Sequence, residues 1–444
     1  MKIKNDVLII HNLYDKLVWL LLVWCVLQDF FLCIFLRLTG ITPLAKLMFY
    51  SKDLILVLLF IWAISHLKIN ERILLWYILF FVFMGAAVLV SLNNPNINLK
   101  ITSLMSAIRG LLLLPTLTLV GYSINNKVKF MENIKKYYNF LVVIAVIGII
   151  EFVFDIFWGT KSFWMDLLRL DDFYQVIKGA SAGLENGTPG NWYTDIGMGY
   201  RTQKRLISIW AAPLTAGYVI LLPCLFYSIS FFKNYSFFRT KMTKQYMSAL
   251  NAFIVCLVAI ALTFTRQVLL PALVIIFISF IYYQKKNRNV FIVGSIIFGT
   301  LAVLLMVESI TAYIYNGSTM VHIIRLEEAI SQISFWGSGI GSFGTRFAGA
   351  IATESQYLTL MGQLGVMAII PYLVILIYPI LYCKHRVKQI EGEAKIMICS
   401  LCFSGLCVLF AGMLSETVGA FTSIAQYYVL IGFSWGYCKE YGVK

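Results

Sequence analysis

The sequence predicts an all-α, polytopic membrane protein of about twelve transmembrane helices. Its 444 residues are 60% hydrophobic and only 13% charged, against roughly 45–50% and a quarter in soluble domains. The apolar residues fall in blocks of about 20, the length that crosses a hydrocarbon core of roughly 30 Å. Basic residues gather in alternate connections between those blocks. Inside a bilayer no water pairs with the backbone, so each block must pair its own amides as a helix.

The expected spans lie near 17–36, 43–66, 73–92, 101–123, 137–158, 206–232, 247–265, 267–283, 290–312, 356–382, 396–413 and 418–437. The stretch 247–283 is too long for one crossing and carries Thr265-Arg266 at its centre. An arginine at mid-bilayer costs at least about 2.5–3.5 kcal/mol. Two spans with a tight turn there bring the charge to a surface. The whole chain, 1–444, reads as a single integral membrane domain, without a tandem repeat or a soluble domain. The first block reads as a span and not as a removable signal peptide.

Net charge is +15. A basic chain invites nucleic acid, but here the charge lies between apolar blocks and follows the positive-inside rule, so no nucleic-acid partner is expected. Connections 67–72, 124–136, 233–246, 284–289 and 383–395 are basic, with Lys127, Lys129, Lys135 and Lys136 in one of them. They are expected in the cytoplasm together with both termini. The ten Trp and 25 Tyr suit two interfacial belts. Nine cysteines, mostly inside apolar blocks, read as small core hydrophobes.

Two long outward loops, 159–205 and 313–355, run against the charge bias. The first carries Lys161, Arg169, Lys178, Arg201, Lys204 and Arg205, the second Arg325 and Arg346. Long loops largely escape the rule; attraction to an anionic ligand is the functional alternative. Phe163, Trp164, Leu167, Leu168 and Leu170 alternate with Lys161, Asp166 and Arg169, a pattern for a short amphipathic helix on the outer membrane face. The glycine-rich stretch 179–199 reads as a flexible loop.

Common catalytic motifs are absent: no Walker loop, HExxH, GxSxG or DxD pair. His11, His66, His322 and His385 are scattered and make no ligand set. Neither a metal nor a nucleotide cofactor is expected. Four features remain. Arg201 and Arg205 precede Leu206 to Pro213; if helical they share a face at the mouth of a span, and the plainer alternative is two snorkelling side chains. Pro213 inside that span predicts a kink. Arg266, at the turn Leu262 to Arg266, stands where turns usually recruit Gly, Asn, Asp or Pro. Arg325 opens a stretch leading into Gly337-Ser338-Gly339-Ile340-Gly341-Ser342-Phe343, where closely spaced glycines let amides approach an anion; a flexible linker is the plainer alternative. Glu354-Ser355-Gln356-Tyr357 opens the tenth span. Its carboxylate suits a helix dipole and equally suits a general base among cations.

In order and spacing these four features resemble the O-antigen polymerase and ligase superfamily, the Wzy and WaaL type of polytopic glycosyltransferase. The motifs cover about residues 200–370: Arg205 before a span with small residues and Pro, Arg266 at an outer turn, Arg325 leading into the glycine turn, and Glu354 to Tyr357 with Gly365. The resemblance implies a GT-C-like fold in the bacterial cytoplasmic (inner) membrane, with its active site facing the periplasm or exterior. The implied donor is an undecaprenyl-pyrophosphate-linked oligosaccharide, held in membrane lipid and attacked at its anomeric carbon by an acceptor hydroxyl. No nucleotide or metal is implied. Arg205, Arg266 and Arg325 are then pyrophosphate ligands that stabilise the leaving anion. Glu354 activates or positions the acceptor. Arg201, Gly339, Gly341, Ser355, Gln356 and Tyr357 are expected to line the substrate site. A chain-length regulator protein is an expected partner on the same ground.

Ligases of that family usually carry His-Asn where this chain has Glu354-Ser355, so polymerisation of repeat units is favoured over ligation. An O-antigen ligase is the runner-up. A transporter or flippase for the same lipid-linked glycan is the alternative from another class, since Asp29, Lys52, Asp53, Arg109 and Glu151 lie in or near spans.

Overall fold

The computed structural model describes residues 2–66, 71–93, 101–158, 164, 167–178, 184–185, 188–189, 192–194, 203–210, 212–234, 244–284, 292, 300, 317–344, 350–353, 355–416 and 420–441. In chain order its helices are α1 (Lys2–Thr39), α2 (Thr42–Ser65), α3 (Glu71–Asn93), α4 (Ile101–Tyr122), α5 (Lys127–Trp158) and α6 (Leu170–Phe173). They continue with α7 (Pro213–Asn234), α8 (Lys244–Leu262), α9 (Arg266–Gln284), α10 (Gly317–Ser331), α11 (Gln356–Leu364), α12 (Ile369–Arg386), α13 (Gly392–Leu414) and α14 (Phe421–Tyr441). Two short ladders pair β1 (Leu184–Glu185) with β2 (Thr188–Pro189) and β3 (Tyr193–Thr194) with β4 (Gln203–Lys204), both antiparallel.

Among the described residues, seven stretches are long and apolar enough to cross a membrane: His11–Thr39, Thr42–Ser65, Arg72–Asn93, Lys127–Phe157, Pro213–Lys233, Val366–Gln389 and Gly392–Leu414. Ala107–Tyr122, Met247–Leu262 and Gln267–Tyr283 are shorter apolar helices. The expected span 290–312 lies outside the described residues except at positions 292 and 300. The structure is thus largely helical and consistent with an all-α polytopic membrane protein.

Three expected elements differ in detail. The span drawn over 206–232 begins only at Pro213, which opens α7. Proline needs no amide partner in a helix's first turn, so it starts this helix and does not kink it. The span drawn over 356–382 is broken. α11 ends at Gly365 (φ +96), a 3-10 turn follows over Val366–Ala368, and α12 begins at Ile369. The apolar stretch therefore starts at Val366. The amphipathic helix expected over 161–170 falls partly outside the described residues, which include Trp164 and residues 167–170. Trp164, Leu168 and Leu170 are buried with Phe173, Trp192 and Ile207 against Leu32, Cys33, Leu36 and Ala45 of α1 and α2. These three apolar residues find protein neighbours, while Leu167 is exposed.

The helices group into two compact units. The first comprises Met1–Trp62 and Ile124–Ser295. Here α7 packs on α8, α9 and α5. Gly40 (φ +65) ends α1, its N–H donating to the Leu36 carbonyl at 2.9 Å. Asp15 of α1 accepts from the amides of Asn125 and Asn126 before α5, both at 2.9 Å. The opposite ends of α5 and α8 meet at the segment 203–210, described below.

The second unit comprises Ala63–Ser123 and Ile296–Lys444. Its centre is α14, buried at every residue from Ser423 to Cys438. That burial explains how Gln426, Tyr427, Tyr428 and Ser434 sit in one helix: its neighbours are protein on all sides. α4 lies against it backbone to backbone. A Cβ on Gly432 would stand 2.0 Å from the Thr118 carbonyl oxygen, and one on Gly121 would stand 1.9 Å from that of Val429. Small residues permit such close approach in membrane helices.

Candidate functional site

In the first unit the candidate site is built on a non-helical segment, residues 203–210, that begins with β4. Tyr193 pairs with Lys204 across the β3–β4 ladder, and the Arg205 amide donates to the Trp192 carbonyl at 2.8 Å. On the other edge the Leu206 amide donates to the Leu262 carbonyl at 2.8 Å, docking the segment on the turn between α8 and α9. Gly148 of α5 admits the segment: a Cβ there would stand 2.7 Å from Ser208 Cβ. Ser208 Oγ donates to the Ile144 carbonyl at 3.0 Å.

Arg205 therefore sits in non-helical backbone just past β4, and the helical face it was expected to share with Arg201 does not exist at Arg205. Arg201 lies outside the described residues. The Arg205 Nε donates to the Thr263 carbonyl and its Nη2 to Thr265 Oγ1, both at 2.8 Å. Thr263 and Thr265 are buried. Thr265 precedes α9, whose first residue is Arg266, and its carbonyl accepts from the amides of Val268 and Leu269. The turn at 263–265 between two helices is as the sequence predicts. Phe264 (φ +46) and Ser208 (φ +56) both hold left-handed backbone, unusual away from glycine. Burial lowers the Arg205 pKa to about 10, so the guanidinium stays charged at neutral pH.

Beside it lies an ion cluster that sequence reasoning did not assemble. Lys204 Nζ meets Glu151 Oε1 at 2.7 Å and Asp155 Oδ2 at 2.6 Å. The three side chains are only 8–12% exposed. Glu151 and Asp155 stand four apart on α5, one face at one end of a span. That spacing was a readable signal, whereas the lysine between them depends on the fold.

In the second unit Arg325 and Ala329 share a face of α10. Ala329 is buried against Phe343 and Leu358, so Arg325, half-buried, lies on the side of α10 that faces α11. The glycine turn 337–343 is docked, not a flexible linker. The amides of Ser338 and Gly339 donate to the carbonyls of Gly362 and Gln363 at 2.8 and 3.1 Å. Gln363 Nε2 donates to the Phe343 carbonyl at 2.6 Å, and Ser91 Oγ to that of Ile340 at 3.1 Å. Gly337, Gly339 and Gly341 all hold positive φ. A Cβ on Gly337 would stand 2.5 Å from the Gly365 amide nitrogen and one on Gly339 2.8 Å from Ser91 Oγ, so packing accounts for much of the glycine pattern.

Glu354 lies outside the described residues. Its neighbour Ser355 caps α11, with Oγ accepting from the Leu358 amide and donating to the Gly412 carbonyl at 3.2 Å. Gln356 is buried. Tyr357 Oη donates to the Leu409 carbonyl at 2.7 Å. Thr359 Oγ1 lies 2.8 Å from Glu416 Oε1 and 3.0 Å from the Ser355 carbonyl. Glu416, just past α13, thus adds a second carboxylate one turn from Ser355, which sequence reasoning missed because it follows an unremarkable apolar span.

No protein-family model matches this chain. No curated protein matches it either.

The two clusters share a chemistry. Arg205 sets a guanidinium beside the start of α9, and Arg325 stands one turn before Ala329 on the face of α10 that meets α11. Backbone amides and guanidinium groups both favour an anion there. Among the described residues no group of His, Cys, Asp and Glu forms a metal site.

Proposed function

We propose that this chain polymerises lipid-linked oligosaccharide repeat units into a surface polysaccharide, O-antigen or capsule, at the outer face of a bacterial cytoplasmic membrane. In this reading it has about twelve spans, a GT-C-like fold and cytoplasmic termini, and belongs with the Wzy-type polymerases. The observation that carries the reading is the seating of Arg205 at the mouth of α9. A diphosphate leaving group needs convergent bidentate donors, and Arg205 and Arg266 flank one turn.

The step balances without a nucleotide. The acceptor hydroxyl loses its proton to Glu354 as its oxygen bonds the donor's anomeric carbon. The bond from that carbon to undecaprenyl pyrophosphate breaks, and the electron pair leaves on the diphosphate. Arg205, Arg266 and Arg325 stabilise that charge. Gly339, Gly341, Ser355, Gln356 and Tyr357 shape the surroundings. A chain-length regulator is the protein partner this reading carries. Deleting the gene tests it: single repeat units should remain attached to the final acceptor. Unattached lipid-linked polymer would instead mark an O-antigen ligase.

A second reading, a transporter or flippase of the same glycan, draws on two observations. Lys52 is 1% exposed about 15 Å into α2, its ammonium 2.5 Å from the Phe49 carbonyl. The α11–α12 segment is a broken helix. Purified protein that moves the lipid-linked glycan without lengthening it would favour this reading.

A further inference from the structure

At the end of the first unit where Asp15 meets Asn126, α1 and α5 part to leave a groove of about 420 Å³. The α1 side changes character along its length. Asn12 and Lys16 stand at one end and Trp19, Leu20 and Val23 follow, spaced so that they share a helical face. From Asn12 to Val23 the rise is about 16 Å. On α5, Lys129 and Asn133 stand at the polar end and Phe130 closes the floor. Trp19 is held edge-on to Phe130 and Tyr137, at 6.0 and 5.4 Å between ring centroids.

Charge distinguishes this groove. Both Asp15 oxygens accept from the amides that begin α5, so that carboxylate serves the helix end. Two exposed ammonium groups, Lys16 and Lys129, remain at the rim. Another groove in the same unit, about 480 Å³, is lined by Asn139, Tyr227, Ser248 and Asn251 with apolar residues and no charge. An anionic head over an apolar floor of this length is the shape of a phospholipid, and basic pockets between membrane helices recognise such heads.

We infer that this groove seats one anionic phospholipid, its phosphate between Lys16 and Lys129 and its acyl chain along Leu20 and Val23. The experiment uses the full chain, purified from vesicles of equal phosphatidylglycerol and phosphatidylcholine and weighed intact with bound lipid by native mass spectrometry. Phosphatidylglycerol should be retained at least tenfold over phosphatidylcholine. Changing both Lys16→Gln and Lys129→Gln should lower retention about twenty-five-fold, at about fivefold per lysine. Lys16→Arg with Lys129→Arg should keep it, which separates lost charge from lost folding. Inorganic phosphate should not displace the lipid, because it leaves the apolar floor bare. Equal retention of the two lipids, indifference to the glutamine pair, or displacement by phosphate would overturn the inference.

Discussion

Arg205 reaches Thr265 across sixty residues of sequence, its Nη2 donating to Oγ1 at 2.8 Å. The contact ties the end of a long loop to the start of α9, so one guanidinium both closes the turn and stands at its mouth. The planar fork meets Thr263 and Thr265 together, and an ammonium cannot reproduce that pair of bonds. Arg205→Lys should therefore lower glycan elongation by at least about tenfold. Expression and detergent-extracted monodispersity should change little. Measured elongation within twofold of the parent would remove Arg205 from the site.

Lys204 answers two carboxylates. Lys204→Met removes the cation that bridges the buried Glu151 and Asp155, a loss of about 3–5 kcal/mol. The melting temperature in detergent should fall sharply. Removing all three charges together, with Glu151→Gln and Asp155→Asn added, should restore much of that fall, because the penalty lies in the unmatched charge and not in the absent bridge.

Gly432 and Gly85 offer a paired test of packing. A methyl at Gly432 meets the Thr118 backbone, whereas nothing lies within 4 Å of one at Gly85. Gly432→Ala should lose folded protein on size exclusion. Gly85→Ala, in the middle of α3, should be neutral or slightly stabilising by up to about 1 kcal/mol.

Two carboxylates flank Ser355 in different ways, one by sequence and one by fold. Glu354→Gln should abolish turnover with normal expression. Glu416→Gln keeps a side-chain oxygen for Thr359 and should retain measurable elongation. Kinetics showing the reverse order would transfer the acceptor role to Glu416.

Apolar block length made most helices legible, and the charge of Arg266 divided α8 from α9 correctly. What the sequence hid were features decided by packing. Pro213 reads as a kink inside a span, whereas it opens α7 because the preceding residues are docked elsewhere, Leu206 on Leu262. The break at Gly365 belongs to the motif that carries the resemblance but not to the span drawn by hydropathy over 356–382, since it depends on the 335–339 segment supplying partners: Ser338 and Gly339 for Gly362 and Gln363, and the Phe335 carbonyl for the Val366 amide. Trp164 and Leu168 alternate as an interfacial helix would, yet a neighbouring protein surface competes with lipid for them. At the site, residue types were legible and partners were not: Arg205 was readable, Thr265 and Lys204's two carboxylates were not.

The most direct measurement is elongation by the purified chain, given lipid-linked repeat units and no nucleotide, ATP or metal. Longer glycans on the lipid should accumulate, and Arg266→Lys should lose most of that activity while Lys127→Gln keeps it. Intact, folded protein that produces no lengthened glycan, or an Arg266→Lys variant as active as its parent, would contradict the account.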